Sequence, residues 1–114
     1  MVWLCGAPAA TAAPARWHAP AQWLPGALCV HAHESGDFHY GPSRHRSTAS
    51  WNGYYNGWQF TLSTWQRADR LLGRHDDPQW SAPWVQLWHV WAIWKDDGGS
   101  WREWPNTSRA CGLR

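Results

Sequence analysis

Tryptophan constrains this chain more than any other feature of its sequence. Thirteen of its 114 residues are tryptophan, so disorder, which goes with few aromatic side chains, is not expected. The length suits one domain with a single modest core. Trp84, Trp88 and Trp91 recur at helical spacing, which predicts that they face this core.

Charge and hydropathy exclude two classes of partner. The formal net charge is +2 at pH 7, which is too small for a dedicated nucleic-acid binder. No apolar run approaches the roughly 18 residues that a membrane span requires. The sequence therefore predicts a domain that binds no nucleic acid and has no membrane span. The domain is expected to be a monomer.

The first fifteen residues (MVWLCGAPAATAAPA) are predicted to be a signal peptide or a disordered leader. They are apolar and end in Ala-Pro-Ala, which fits the small-x-small pattern of a signal-peptidase site. Residues 16–22 are expected to form a linker, and residues 23–114 the folded domain.

The three cysteines give information about the cellular compartment of the protein. Removal of the leader would take away Cys5 and leave Cys29 and Cys111, an even number that is typical of an oxidising compartment. This favours a secreted or wall-associated protein. Two buried free thiols in a cytosolic protein are the alternative.

Three helices are predicted around a glycine-rich middle segment. Apolar residues at helical spacing predict the first over residues 21–34, with Pro25 in its first turn and Gly36 at its end. A capping box at residues 63–66 (STWQ) predicts the start of the second, which Gly73 ends. Ser81 is the expected N-cap of the third, which ends at Gly98 and Gly99.

The middle segment predicts a β-hairpin. Residues 51–60 (WNGYYNGWQF) alternate aromatic residues with two Asn-Gly pairs, the strongest short-range signal for tight β-turns. The predicted class is therefore α+β, mainly helical with a short hairpin. Large aromatic residues in this turn-rich segment are less easily buried in a core, and exposed ones suit stacking on sugar rings. They are Trp51, Tyr54, Tyr55 and Trp58. Base stacking would normally come with more Lys and Arg.

Glu34 is the candidate catalytic acid. It is one of only two glutamates, the other being Glu103, and it ends the first predicted helix. Partial desolvation at such an edge raises the pKa of a carboxyl group toward neutrality, as a general acid requires. A solvated glutamate at a helix end is the alternative.

The histidines near Glu34 do not predict a metal site. A zincin motif needs two histidines four residues apart on one helical face. Here Asp37 stands four residues after His33, and Gly36 breaks the helix. Neither a metal nor another cofactor is therefore predicted.

Several short motifs occur together in an order that resembles a known family. They are Cys29, residues 33–37 (HESGD), 52–60 (NGYYNGWQF), 63–65 (STW), 98–101 (GGSW), 104–105 (WP) and 111–112 (CG). In this order they resemble the transglycosylase-like domain of the resuscitation-promoting factors and related secreted actinobacterial muralytic proteins. The resemblance extends from Trp23 to Leu113.

This resemblance implies a small lysozyme-like fold, in which a helix ends at the catalytic glutamate and a β-hairpin forms one wall of a glycan cleft. Glu34 matches the catalytic glutamate, and Gln59 matches a cleft residue that positions the glycan and the glutamate. Further matches fall on substrate-binding positions: Tyr54, Tyr55 and Trp58 in the sugar-lining segment, and Gln86 as a second cleft glutamine. Trp51 and Asp37 flank these segments and complete the expected substrate site.

The same resemblance implies a disulfide between Cys29 and Cys111 that ties the first helix to the C-terminus. Many relatives place the cysteine directly before the glutamate, whereas this chain has His33 there. A cysteine five residues before Glu34 departs from that pattern.

The implied function is a secreted glycosidase that cuts peptidoglycan between N-acetylmuramic acid and N-acetylglucosamine. If Glu34 acts alone, it protonates the glycosidic oxygen and then deprotonates the muramic acid 6-hydroxyl, which closes a 1,6-anhydro ring. If Asp37 or a held water takes part, the outcome is hydrolysis. A glycan-binding module with little turnover is one alternative, and a cytosolic domain that uses tryptophans as binding hot spots is another.

Overall fold

Four helices form the secondary structure of the computed structural model, which describes residues 16–36 and 53–114. In chain order they are α1 (Leu24–Ser35), α2 (Leu62–Leu72), α3 (Pro83–Asp96) and α4 (Pro105–Ala110). The predicted leader, Asp37 and Trp51 lie outside the described residues. In the part of the chain that is described, no helix has the length and apolar character needed to cross a membrane.

The first helix follows the sequence prediction closely. Pro25 lies in the first turn of α1, where its missing N–H is not required. Gly36 ends the helix with φ of 107°, and its N–H donates to the carbonyl oxygen of Ala32. Glu34 therefore lies in the last turn of α1, as predicted.

The second helix begins slightly earlier than predicted. The side chain of Thr61 accepts a hydrogen bond from the N–H of Thr64 at 3.2 Å, so Thr61 is the N-cap. The predicted capping box at residues 63–66 is wrong, because those residues are already helical. Gly73 ends α2 in the left-handed conformation, as predicted, with φ of 67°.

The third helix also lacks its predicted cap. Ala82 is the N-cap of α3, and Ser81 instead donates its hydroxyl to the carbonyl oxygen of Asp77 at 2.6 Å. Gly98 and Gly99 follow the end of α3 with φ of 74° and 81°, as their position predicted. The short helix α4 was not predicted, although Pro105 in its first turn and Gly112 after its end are ordinary boundary signals.

The predicted α+β class, with a lysozyme-like β-hairpin, is wrong. Helix accounts for 52% of the structure and strand for 2%, and the described residues contain neither a sheet nor a hairpin. Tyr55 and Phe60 form an isolated antiparallel bridge. The pairing cannot extend, because Thr61 directly caps α2 on one side and Gly53 has φ of 90° on the other.

The core is built from helices and loops alike. α2 packs against α3, and α1 packs against α4. The buried cluster between them contains Trp23, Ala27, Val30, Trp58, Phe60, Trp65, Ala68, Leu87, Val90, Ile93, Trp101 and Trp104. Five of its six large aromatic side chains come from outside the four helices, and the sixth, Trp65, comes from α2. Aromatic residues of the connecting segments therefore fill the space between the two helix pairs.

The tryptophans of α3 lie mainly on its outer side, which differs from the prediction. Trp84, Trp88 and Trp91 are only partly buried, whereas Val90 and Ile93 of the same helix are fully buried. α3 is apolar on nearly all sides, so helical spacing alone does not show which side chains face inward.

These outer indoles and Trp17 form a row of ring contacts, two stacked and one tilted, which we call the tryptophan ladder (Trp84, Trp88, Trp17 and Trp91). The ring centroids of Trp84 and Trp88 are 6.2 Å apart, those of Trp88 and Trp17 are 6.3 Å apart, and those of Trp17 and Trp91 are 5.5 Å apart.

Cations cover several faces of the tryptophan ladder. Arg16 lies 6.0 Å from the ring centroid of Trp84, and Lys95 Nζ lies 4.6 Å from that of Trp91. Arg74 lies 5.0 Å from the centroid of Trp88. The ladder is therefore held by contacts within the chain.

A buried polar network joins α2 to α3. His89 is fully buried and stacks on Trp65 with ring centroids 3.8 Å apart. Its Nδ1 lies 2.7 Å from the carbonyl oxygen of Val85, and its Nε2 lies 2.7 Å from Oδ1 of Asp69. Both ring nitrogens thus have a polar partner, one on α3 itself and one on α2.

We expect His89→Phe to lower the free energy of unfolding by about 2–3 kcal/mol. The ring stack on Trp65 would survive, but the buried side chain of Asp69 would lose its hydrogen-bond partner on α3. Chemical denaturation with urea measures this change. The double variant Asp69→Leu with His89→Phe should lose less than the single variant, because both hydrogen-bonding side chains are then removed. A loss below about 1 kcal/mol in the single variant would contradict this account.

Candidate active site

Glu34 is half-buried at the end of α1. Desolvation raises the pKa of its carboxyl group above the ordinary value of 4.5, and a hydrogen bond with the side chain of Thr107 on α4 opposes this effect. The net direction is upward. The carboxyl group therefore keeps its proton to higher pH than a solvated glutamate.

A cavity of about 190 Å³ opens beside Glu34, and a second of about 200 Å³ adjoins it. Four residues line both, which makes them one continuous groove: Tyr54, Gln59, Glu103 and Trp104. Glu34, Pro105 and Asn106 complete the first cavity, and Phe60, Thr61 and Thr64 complete the second. We call this groove the Glu34 cleft.

One wall of the cleft is the turn between Tyr55 and Phe60. These two residues exchange backbone hydrogen bonds of 2.9 and 3.0 Å. Within the turn, Oδ1 of Asn56 accepts from the N–H of Trp58 at 2.9 Å, and its Nδ2 donates to the carbonyl oxygen of Pro78 at 2.7 Å. Asn56 therefore shapes the turn and also anchors it to the segment before α3.

Gln59 occupies an unfavourable backbone conformation beside the cleft. Its φ is 57°, in the left-handed region that non-glycine residues seldom adopt. Its side-chain Nε2 donates to the carbonyl oxygen of Asn56 at 2.9 Å, which holds the amide next to the cavity. Strained backbone conformations of this kind are concentrated at functional sites, where the position of a side chain outweighs the energetic cost of the backbone conformation.

The turn rests directly on the end of α1. Ser35 donates its hydroxyl to the carbonyl oxygen of Gly57 at 2.6 Å. A Cβ atom at Gly57 would overlap Nε2 of His31 and would lie 2.9 Å from Oγ of Ser35, so only glycine permits this approach. The contact fixes Gln59 relative to Glu34.

The opposite wall of the cleft is the start of α4, which is tied to α1. Cys29 of α1 and Cys111, just after α4, form a disulfide with Cα atoms 6.0 Å apart. This is the pair that the family resemblance implies. Nε1 of Trp104 donates to the carbonyl oxygen of Trp58 at 2.7 Å and so joins the two walls.

Glu103 adds a second carboxyl group to the cleft. Its Oε2 lies 3.4 Å from Nη1 of Arg67 and 3.9 Å from Nε of Arg102. Desolvation and the neighbouring carboxyl group of Asp97 raise the pKa of Glu103, whereas the Arg67 guanidinium lowers it, and the net direction is upward.

The structure brings some of the predicted site residues together and separates others. Glu34, Tyr54 and Gln59 line one cavity. Tyr55 is partly buried against the core, and Trp58 is fully buried within it. Gln86 is buried on α3, where it donates to the carbonyl oxygen of Ser81 at 2.7 Å. Tyr55, Trp58 and Gln86 line neither cavity of the Glu34 cleft. The remaining two candidates, Asp37 and Trp51, lie outside the described residues.

The sequence did not predict that residues after α3 contribute to the Glu34 cleft. Glu103, Trp104 and Asn106 line the cleft, and Thr107 reaches Glu34. One sequence feature could have indicated Glu103 as a cleft residue. It is the only other glutamate, and it directly precedes the Trp-Pro motif of the family resemblance.

Two clusters in the described residues have metal-ligating atoms close together: Cys29 with His33 and Cys111, and Asp69 with Asp76 and His89. In the first, the two sulfur atoms are bonded to each other and are not free thiolates. In the second, Asp69 bonds His89 and Asp76 bonds Arg74, at 2.7 and 2.6 Å. In both clusters the atoms that could bind a metal ion already have partners within the protein.

No protein-family model matches this chain, and no curated protein or solved structure is significantly similar to it. The resemblance to the resuscitation-promoting factors is therefore carried by the motifs of this sequence alone.

We expect Asn56→Ala to lower the free energy of unfolding by about 3 kcal/mol, because two backbone groups lose their partner and alanine resists a positive φ. Asn56→Gly should lose about 1 kcal/mol less, since glycine adopts this φ freely. Thermal or urea unfolding of both variants tests the prediction. Equal losses would show that the backbone conformation of Asn56 costs nothing.

The raised pKa of Glu34 predicts a pH-dependent stability. The native state holds this proton to a higher pH than the unfolded chain, so the contribution to stability is complete below about pH 4.5 and is lost as pH rises through the native pKa. Relative to Glu34→Gln, the wild-type protein should therefore become progressively less stable across that window.

Urea unfolding of both proteins at a series of pH values measures this difference. Thr107→Val serves as a matched variant, because removal of the opposing hydrogen bond should move the window to higher pH. A difference in stability between wild type and Glu34→Gln that stays constant with pH would contradict the prediction.

Proposed function

We propose that this chain cleaves peptidoglycan glycan strands between N-acetylmuramic acid and N-acetylglucosamine, with Glu34 as the general acid. One observation carries the proposal: Glu34 is a half-buried carboxyl group with a raised pKa on the wall of a cavity that it shares with Gln59 and Tyr54. The motif resemblance supplies the substrate class.

The acid role requires Glu34 to hold its proton near neutral pH and to release it to a leaving oxygen. Partial desolvation raises the pKa of the Glu34 carboxyl group and so favours its protonated form. None of the ion pairs formed within residues 16–36 and 53–114 involves Glu34, so no cation there favours its ionised form.

The cleft has the chemical character expected for a sugar-binding surface. Tyr54 is 43% exposed and lines both cavities, which places an aromatic residue of the kind that stacks on pyranose rings at the cleft. Gln59 and Asn106 contribute amides, which both donate and accept hydrogen bonds and so suit hydroxyl and acetamido groups.

In the proposed step, Glu34 gives its proton to the glycosidic oxygen as the bond from that oxygen to C1 of N-acetylmuramic acid breaks. The leaving sugar departs with a free hydroxyl group, and positive charge develops on the muramic acid ring. An oxygen nucleophile then bonds to C1. Either the 6-hydroxyl of the same ring or a water molecule can supply it.

The disulfide fits a protein that works outside the cytosol. Structural disulfides persist in oxidising compartments, and peptidoglycan lies in such a compartment. The bond between Cys29 and Cys111 also holds α4, which bears Thr107, against α1, which bears Glu34.

The test is incubation of the purified protein with cell-wall glycan, followed by mass spectrometry of the released fragments. Glu34→Gln should reduce release by roughly 10²–10⁴-fold, as expected for loss of a general acid, and should leave glycan binding within a few-fold. Asp96→Asn is the matched control, because Asp96 is an exposed carboxylate on α3 that lines neither cavity of the cleft.

Unchanged release by Glu34→Gln would contradict the catalytic assignment. Binding of intact glycan by the wild-type protein with no release would favour the alternative function, a glycan-binding module. Free thiols at Cys29 and Cys111 in the isolated protein would argue against a secreted enzyme.

A further inference from the structure

The Glu34 cleft contains both glutamates of the chain. Glu34 reaches it from the end of α1, and Glu103 reaches it from the segment before α4, more than sixty residues later. Both line the 190 Å³ cavity. Enzymes that hydrolyse glycosidic bonds ordinarily place two carboxyl groups around the bond, one as the acid and one as the base or nucleophile.

The neighbours of the two carboxyl groups differ in a way that separates their roles. Glu34 has a neutral hydroxyl partner, Thr107, and no cationic partner among the described residues. Glu103 has the guanidinium of Arg67 at 3.4 Å, which favours its ionised form, whereas burial and the neighbouring carboxyl group of Asp97 raise its pKa overall. A carboxylate that has a cation beside it and a raised pKa suits a base, because it can ionise and still accept a proton, whereas the carboxyl group without a cationic neighbour suits an acid.

Neutralisation of Arg67 does not require Glu103. Arg67 already bonds Asp97 at 2.7 Å and Asp96 at 3.1 Å, both closer than Glu103. Asp97 in turn accepts from Arg102 at 2.8 Å. With Glu103 ionised, three carboxylates face two guanidinium groups, so Glu103 adds an excess negative charge to this cluster. A carboxyl group that the ion-pair network does not need, and that lines the cleft, is better explained by a role in the cleft.

We infer that Glu103 is the general base of the cleft and activates a water molecule for attack on C1, so that the reaction is hydrolysis. This inference rests on the proposed function of the Glu34 cleft. It gives the role considered for Asp37 to a residue that lines the same cavity as Glu34.

The step balances without any further reactant. Glu34 transfers its proton to the glycosidic oxygen, and the bond between that oxygen and C1 breaks. Water bonds to C1 while one of its protons passes to the carboxylate of Glu103. The products are a reducing end and a free hydroxyl group, and exchange of protons with solvent returns both carboxyl groups to their starting states.

Product analysis in ¹⁸O-labelled water tests the outcome of the reaction. Hydrolysis places one labelled oxygen at the new reducing end, whereas ring closure by the 6-hydroxyl gives an unlabelled 1,6-anhydro product. Labelled reducing ends are expected from the wild-type protein. Unlabelled anhydro products would overturn the inference about Glu103 and leave the proposed function of Glu34 standing. Release of no product would overturn both.

Variants test the residue itself. Glu103→Gln should lower release by roughly 10²-fold or more with glycan binding retained, while Asp96→Asn, which removes another carboxylate from Arg67, should stay within a few-fold of wild type. Glu103→Ala should regain activity when formate is added, because a small carboxylate can replace the missing base.

A purely structural role for Glu103 would give different results with these variants. Glu103→Gln and Asp96→Asn would then lose stability and activity together, and formate would have no effect on Glu103→Ala. Loss of release in Asp37→Asn with full activity in Glu103→Gln would likewise overturn the inference, since it would make Asp37 the base.

Discussion

The close approach of the Tyr55–Phe60 turn to α1 is the constraint on which the cleft depends. Gly57 lies so near His31 and Ser35 that any side chain there would force the two segments apart. The hydroxyl of Ser35 then fixes the turn by its bond to the carbonyl oxygen of Gly57. Glu34 neighbours Ser35, and Gln59 lies two residues after Gly57, so this contact helps to fix the positions of two side chains that line the same cavity.

The two glutamates show how packing gives one residue type two environments. Each loses water when the segments around it close, and this alone raises the pKa of both. The difference comes from the partners that the fold supplies, a threonine hydroxyl from α4 for Glu34 and a guanidinium from α2 for Glu103. Neither partner is near in sequence. The helices and turns of residues 16–36 and 53–114 thus give two carboxyl groups different environments with no β-sheet in that part of the chain.

Much of the local structure could be predicted from the sequence, because it depends on local chemistry. Pro25, Gly36 and Gly73 mark helix boundaries through backbone preferences that operate within a few residues. The hairpin prediction failed because Asn-Gly signals a turn but not the length of the strands beside it, and here Thr61 starts a helix at once. The position of Glu34 in the last turn of α1 could be predicted from the same local signals. The position of Glu103 in the cleft could not, since its approach to Glu34 depends on how α4 packs against α1.

The tryptophan ladder gives the protein an optical property that no single residue would have. Indole rings whose centroids lie 5.5 to 6.3 Å apart exchange excitation energy faster than they emit light. Light absorbed at any ring of the row therefore spreads through the others, and emission reports on the row as a whole. The same coupling splits the indole absorption bands, so that circular dichroism would record the loss of this stacking separately from the loss of helix.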